Sequence, residues 1–352
     1  MQCGIRGPYL PIVAMQTISI KERTNGIWLF IGSILIITLL MSKLYMGKPF
    51  CLLGALGIIF SFTFPMFHLV SGDCDPNDKE ILLQIQASLG NPQKLVDNWQ
   101  LEGGCCKSWG VECNDIGRVR YFFASFSDHP FQIPPSVGGL EYLEYMAFSD
   151  LPNLVGSIPD TVATLSHLQT LRISNCRLSG QIPSFLGQIK SLQTIDLNTN
   201  NLSGSIPSSL SQLKYLTQLA LSNNKLTGPI PELRSLDPSF NKQNPLYIWL
   251  YFNNLSGTIP KSFGNISIEW LDVAGNKLTE DASFLFGHDK AIRFLCLSRN
   301  QFSFDLSNVT VPQFMEGLLI NDNKIYGCIP ESFNRAAFDQ FDVSNNLLRG
   351  SC

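Results

Sequence analysis

The sequence is short of the residues from which catalysts are built. It has four histidines, and charged residues make up 15% of its 352 positions. Apart from His68 in an apolar N-terminal stretch, only His129, His167 and His288 remain, none beside a candidate nucleophile. No G-x-S-x-G elbow and no phosphate-cradling G-x-x-x-x-G-K-S/T loop occurs, so neither serine hydrolysis nor nucleotide binding has a motif to rest on. Zinc has none either: Cys105 and Cys106 are adjacent, with no histidine nearby. A basic excess is also missing, since the formal charge is −3. That argues against nucleic acid or an anionic membrane surface as partner. The charge is uneven, with five basic residues against one acid in residues 1–72 and 20 against 27 beyond. A mildly acidic main body suits a basic protein partner.

What the sequence does have is repetition. Residues 168–231 read LQTLRISNCRLSGQIPSFLGQIKS, then LQTIDLNTNNLSGSIPSSLSQLKY, then LTQLALSNNKLTGPIP, a period of 24 residues. The pattern L-x-x-L-x-L-x-x-N/C-x-L at this period is that of a leucine-rich repeat. Strand residues alternate sides, so Leu171 and Ile173 point to a core while Thr170, Arg172 and Ser174 face an open surface. The Asn/Cys column runs Cys176, Asn200, Asn224, Asn253, Asn276, Asn300, Asn323, Asn346, at spacings of 24, 24, 29, 23, 24, 23 and 23. An inward amide at a strand end can satisfy backbone groups that a tight bend leaves unpaired. Degenerate copies around 121–134 and 146–159 bring the count to about ten turns. The predicted fold is an α/β right-handed solenoid, with a parallel concave β-sheet and short 3-10 helices on the convex side. A motif such as Leu202-Ser-Gly-Ser-Ile-Pro207 follows in four turns, with weaker forms at 154–159 and 325–330. It resembles the plant extracellular class of leucine-rich repeat and implies a second short sheet.

The first 72 residues are of another kind. Residues 27–41 and 49–70 are apolar runs, the second following Lys48 and preceding Asp73. Residues 46–72 have the layout of a secretory signal peptide, with cleavage expected after Gly72 and residues 1–45 an N-terminal extension or over-long start. The competing reading is a retained membrane anchor formed by both runs. Four N-x-S/T sequons, at Asn201, Asn254, Asn265 and Asn308, predict glycosylation and fit a secreted, extracellular protein.

Residues 73–117 read as a cap over the first turn, which would otherwise expose its core. Asp75 is a good N-cap and Pro76 suits the first helical position. Ile81, Leu82, Ile85 and Leu89 form one apolar face, and Gly90 ends the helix. Trp99, Cys105, Cys106, Trp109 and Cys113 follow; sequence alone does not fix which cysteines pair. Residues 118–352 hold the repeats, the last one incomplete.

The cap DPNDKEILLQIQASLGNPQKLVDNW, the CC…GVEC pair, PNLVGSIPDTVATL, NKLTEDASFLFG and NDNKIYGCIPESF are similar to the plant polygalacturonase-inhibiting proteins. The resemblance covers residues 73–350. It implies a cell-wall defence protein that binds fungal or insect endopolygalacturonases through its concave face, with pectin as a second ligand and no cofactor. It also implies the disulfides Cys74–Cys105 and Cys106–Cys113. The sequence departs from the family in three places. Residues 231–247 make an over-long repeat, expected to be a surface excursion. The strand IWLYFNN after it is aromatic where the family is small and polar. Arg349 stands where the family has the first cysteine of a C-terminal cap, so that cap is expected to be missing, with Cys328 and Cys352 unassigned.

The register yields a candidate binding face: Arg172, Ser174, Thr194, Asp196, Asn198, Gln218, Ser222, Tyr247, Trp249, Tyr251, Phe252, Trp270, Asp272 and Arg299. Trp249, Tyr251, Phe252, Trp270 and Phe294 span three turns and would form one aromatic patch, the usual material of protein-binding hot spots, unless they pack under residues 231–247. Asp196 and Asp272 share a column but lie three turns, roughly 14 Å, apart. Paired glycosidase carboxylates stand about 5–9.5 Å apart, so a polysaccharide hydrolase is disfavoured. A receptor-like ectodomain sensing a peptide or protein is the main alternative, and a polysaccharide- or ice-binding face a lesser one. Cys176, in the Asn slot, is expected to be a buried free thiol, and Cys296 to be outward, and reactive if unpaired.

Overall fold

The computed structural model describes residues 74–89, 104–125, 127 and 129–352. The signal-peptide and anchor readings of residues 1–72, and Gly90 and Trp99, lie outside them. Among the described residues the backbone is a stack of turns. An 11-stranded sheet opens with an antiparallel pair, Val111–Cys113 and Val119–Ala124. Nine further strands follow in parallel, one per turn, from Tyr145–Ser149 to Gln340–Asp342. The expected second sheet is present, with six parallel strands from Ser179–Gln181 to Gln301–Phe302, four at L-x-G segments and two, Lys277–Glu280 and Gln301–Phe302, in turns without that motif. Short 3-10 helices such as Ser184–Gln188 and Ser208–Gln212 close the convex side, each preceded by the proline of its I-P motif. They stack closely: a Cβ on Gly187 would lie 2.1 Å from the Ser209 carbonyl oxygen. Between sheet and helices runs one core in which Leu171, Ile195, Leu219, Ile248, Leu271, Leu295 and Leu318 occupy the same strand position and are buried.

The asparagine column does what its position demands. The Asn200 amide nitrogen donates to the carbonyls of Ile173 (2.7 Å) and Leu197 (3.1 Å), while its Oδ1 accepts from the Leu178 N–H at 3.0 Å. Asn224, Asn276, Asn300, Asn323 and Asn346 repeat this set. Cys176 fills the slot as a buried free thiol, pushed up to about 11 by burial. Its sulfur takes the Leu151 N–H, and the Leu154 N–H turns instead to Leu151 O at 3.0 Å. The residue before each ladder position is left-handed, from Asn175 (φ 54) through Phe252 (φ 53) to Asn345 (φ 53).

The cap helix spans Pro76–Leu89 and buries Leu82, Ile85 and Leu89. Asp75 Oδ1 accepts from the N–H groups of Asn77 and Asp78 at 2.9 and 3.3 Å, satisfying donors of the first turn. Cys74–Cys105 and Cys106–Cys113 pair as the resemblance implies. Asp78, fully buried, holds the helix to the second strand: it accepts from Arg118 Nε (3.1 Å), Arg118 Nη2 (3.0 Å) and the Val119 N–H (2.7 Å). At the other end Cys328 pairs with Cys352, tying Leu347–Ser351 to Tyr326–Ile329. Residues 231–247 are an excursion that is anchored, with Arg234, Pro238, Ser239, Lys242, Gln243 and Asn244 exposed. They bury Leu233, Leu236 and Asn241, and carry an α-helix, Pro238–Gln243, capped by Asp237.

Candidate binding face

Strand pairing sorts the outward side chains into columns. Thr170, Thr194, Gln218, Tyr247, Trp270, Phe294 and Gly317 form the first. Arg172, Asp196, Ala220, Trp249, Asp272 and Cys296 form the second. Ser174, Asn198, Ser222 and Tyr251 lie two residues further on, at the strand ends.

The aromatic residues meet. Tyr247 and Trp249 stack at 5.8 Å between ring centroids, Trp249 and Trp270 lie 6.4 Å apart, and Trp270 and Phe294 stack at 4.0 Å. Phe294 can lie flat because its neighbour is Gly317: a Cβ there would stand 2.2 Å from the Phe294 ring. The inserted helix does not cover this patch. Its Phe240 packs on Tyr215 at 5.2 Å, and Asn241 bonds to the backbone of Ser267. Burial and the Glu269 carboxylate push the Tyr247 phenol up to about 12, so it stays protonated at any working pH. Beside it Arg293 pairs with both Glu269 and Glu316.

Several residues differ from their sequence assignment. Ser222 is buried, its N–H and hydroxyl both donating to Asn198 Oδ1 at 2.7 and 2.6 Å. Asp196 is buried too, with Arg172 Nε 3.1 Å from its Oδ2 and the Asn198 N–H 3.2 Å from its Oδ1. Burial raises its pKa and the Arg172 charge opposes that rise. Asp272 is 3% exposed, and burial pushes its carboxyl up to about 7. Phe252 and Arg299 occupy left-handed positions after the strand, so they belong to the rim. Cys296 shares the outward column with Asp272 but is buried and disulfide-bonded, so it offers no reactive thiol. Sequence reasoning missed Tyr121 and Tyr145, which stack at 4.4 Å at the head of the first column. The signal was there in the degenerate copies, whose register places Tyr121 and Tyr145 with Thr170.

The leucine rich repeat family matches residues 166–226 and 244–266. Over 303 residues the chain is 46% identical to polygalacturonase inhibitor 1 of Arabidopsis thaliana, covering 84% of this chain and 89% of that protein. The chain belongs to the plant polygalacturonase-inhibitor family. The family's Pyrus communis polygalacturonase inhibitor is 41% identical, with 80% and 84% covered. Among solved structures, a plant ice-binding protein matches with a TM-score of 0.72 at 37% identity, over 78% of this chain and 88% of that one. All four sequon asparagines, Asn201, Asn254, Asn265 and Asn308, are exposed. No described helix is long and apolar enough to cross a membrane.

Proposed function

We infer that the chain is a secreted cell-wall protein that blocks an endopolygalacturonase of a fungal or insect attacker by docking it on the concave sheet. Membership of a family whose relatives at 41–46% identity are named polygalacturonase inhibitors carries this reading. The adjoining rings of Tyr247, Trp249 and Trp270 supply what a protein interface anchors on: large, rigid, partly exposed aromatic area at the middle of a sheet. Glycosylation at the four exposed sequons, removal of residues 1–72 and a secondary contact with pectin belong to the same reading.

The test is inhibition of a panel of endopolygalacturonases by protein secreted from plant cells, followed by reducing-end release from pectin. Wild type is expected to slow at least one enzyme and release nothing alone. Trp249→Ala or Trp270→Ala should cost more than about 2 kcal/mol, roughly 30-fold in affinity. Lys261→Ala, at an exposed convex residue, should cost almost nothing. A folded wild type that inhibits no enzyme refutes the reading.

A further inference from the structure

Where the chain enters the strands Ile268–Asp272, Phe294–Cys296 and Gly317–Leu319, the edge of the solenoid carries a groove of about 850 Å³. Phe314 lines it and is 62% exposed. Counting back three residues from the pairs Phe294–Gly317 and Gly317–Gln340 puts Phe314 between Ala291 and Ala337, which also line the groove. Neither neighbouring turn brings a side chain large enough at that position to cover the ring. The charges around it are already matched. Lys290 pairs with Asp289 at 3.4 Å, Arg335 with Glu331 at 3.5 Å, and Arg293 with both Glu269 and Glu316. An ionic partner would have to break these pairs. A neutral ligand rich in hydroxyl groups would not, since hydroxyls accept from the cations and donate to the carboxylates as they stand. Its polarised C–H face would suit the electron-rich face of an aromatic ring.

A ligand of this kind can be attached one turn away. Asn265, exposed at the end of the 3-10 helix Lys261–Asn265, heads the sequon Asn265-Ile-Ser. Counted from the pair Trp270–Phe294, Asn265 falls opposite Asp289, a lining residue. The two turns are tied here, because Lys290 Nζ donates to the Gly264 carbonyl at 2.7 Å. Opposite Asp289 in the following turn is Pro312, two residues before Phe314. Two turns of about 4.8 Å place Phe314 roughly 10 Å from Asn265 along the stack, within reach of the first two sugars of an N-linked glycan. The other sequons point elsewhere. Asn201 and Asn254 open strands of the second sheet, beyond the exit of the concave strands, whereas the groove lies at their entry. Asn308 falls opposite Leu285, in the convex 3-10 helix Ser283–Leu285.

We propose that this groove seats the N-linked glycan of Asn265, laid along the stack so that an N-acetylglucosamine packs on the Phe314 ring. Glycosylation of Asn265 is part of the secreted reading above, and the seat rests on it. The seated glycan shields the ring and joins three successive turns from outside the core.

The test uses protein secreted from plant cells. Mass spectrometry of the peptide containing Asn265 should find it glycosylated. Melting temperatures are then compared for wild type, Asn265→Gln, Phe314→Ala and the double variant. Losing the Asn265 glycan should lower the value by about 2–4 °C when Phe314 is present, and by much less once it is alanine. Asn308→Gln, the control for loss of a glycan as such, should have the same effect in both backgrounds. Isotope labelling of the sugars gives a direct reading. The signals of one N-acetylglucosamine should stand upfield through the ring current of Phe314 and return to ordinary values in Phe314→Ala. Equal destabilisation by Asn265→Gln in both backgrounds, or sugar signals indifferent to Phe314→Ala, overturns the seat. So does an Asn265 that carries no sugar. If the other three sequons are then occupied, the secreted reading stands and the seat alone falls; a chain with no sugar anywhere takes both down. Inhibition of an endopolygalacturonase is measured separately and is decided by none of these outcomes.

Discussion

Replacing Asn276 by alanine isolates what the ladder contributes. Its amide nitrogen donates to Leu250 O and Val273 O, both at 3.0 Å, and its Oδ1 accepts from the Leu255 N–H at 3.0 Å. Alanine leaves one buried N–H and two carbonyls without those partners. An orphaned buried donor costs about 1–3 kcal/mol and each lost carbonyl bond about 1, so the expected loss is about 3–5 kcal/mol. Cys176→Ala is the control, since the Leu154 N–H already bonds within its own turn at 3.0 Å and only the weak bond of the Leu151 N–H to sulfur is lost. Its cost should stay near 1 kcal/mol. Urea unfolding gives the totals, and hydrogen exchange gives the location. The Leu255 amide should exchange much faster in Asn276→Ala, because the loss falls on the junction between adjacent turns. Equal costs for the two variants, or a protected Leu255 amide in Asn276→Ala, would refute the view that the side chain, and not the leucine core alone, couples the turns.

Three further outcomes follow from the packing. Asp78→Ala leaves Arg118 without the carboxylate that holds the cap helix, and should cost about 3–5 kcal/mol in a thermal or urea melt. Gly317→Ala pushes Phe294 off its flat seat and opens the 4.0 Å stack with Trp270. It should cost about 1–3 kcal/mol, dim the near-ultraviolet circular dichroism and weaken inhibition several-fold. Asp272 gives a pH signature: its folded carboxyl, near 7 against an ordinary 3.8, holds its proton more tightly than the unfolded chain does. Its contribution to stability is therefore greatest below about pH 4 and declines as pH rises to about 7. Asp272→Asn should match wild type at pH 4 and exceed it at pH 8, by about 4 kcal/mol at most. Parallel melting curves at the two pH values would refute this.

The parts of the fold legible in the sequence are those where a backbone requirement selects one side-chain type. A bend with unpaired amides calls for an inward amide, which is why Asn200 to Asn346 could be read as one column. The left-handed residue before each ladder position was not legible, because asparagine, threonine, phenylalanine, glycine, arginine and aspartate all occupy it. Asparagine, aspartate and glycine, which favour that conformation, hold six of the nine positions, and the ladder imposes it on Thr199, Phe252 and Arg299. Phe252 and Arg299 looked like strand residues for that reason, and proved to be rim residues. The Asp78–Arg118 contact joins residues 40 apart with no shared motif, so no pattern announced it. Alternation places Arg172, Gln218 and Tyr247 on the side of the sheet where the strand pairing lines them up in columns. Alternation fixes direction and not exposure, so it could not show that neighbours enclose Ser222, Asp196 and Asp272.

The long repeat shows how the binding face can vary without loss of the solenoid. From Asn224 to Asn253 the spacing is 29 residues, against 23 or 24 elsewhere. The extra length is taken up on the convex side by the helix Pro238–Gln243, while the strand Leu246–Trp249 still pairs in register with both neighbours. The two sides differ in what an insertion costs. Lengthening a loop adds little entropy, about 0.6 kcal/mol per doubling, whereas a register slip would turn a whole strand's core residues outward. Asn241 then anchors the inserted helix by bonding to both Ser267 N–H (2.7 Å) and Ser267 carbonyl (3.0 Å) of the next turn. Tyr247, Trp249 and Trp270 are accordingly changes of side chain on a fixed ladder, and the insertion does not create their position. Variation in target among such chains can therefore arise from two or three outward residues while the core, the asparagine column and the cap stay as they are.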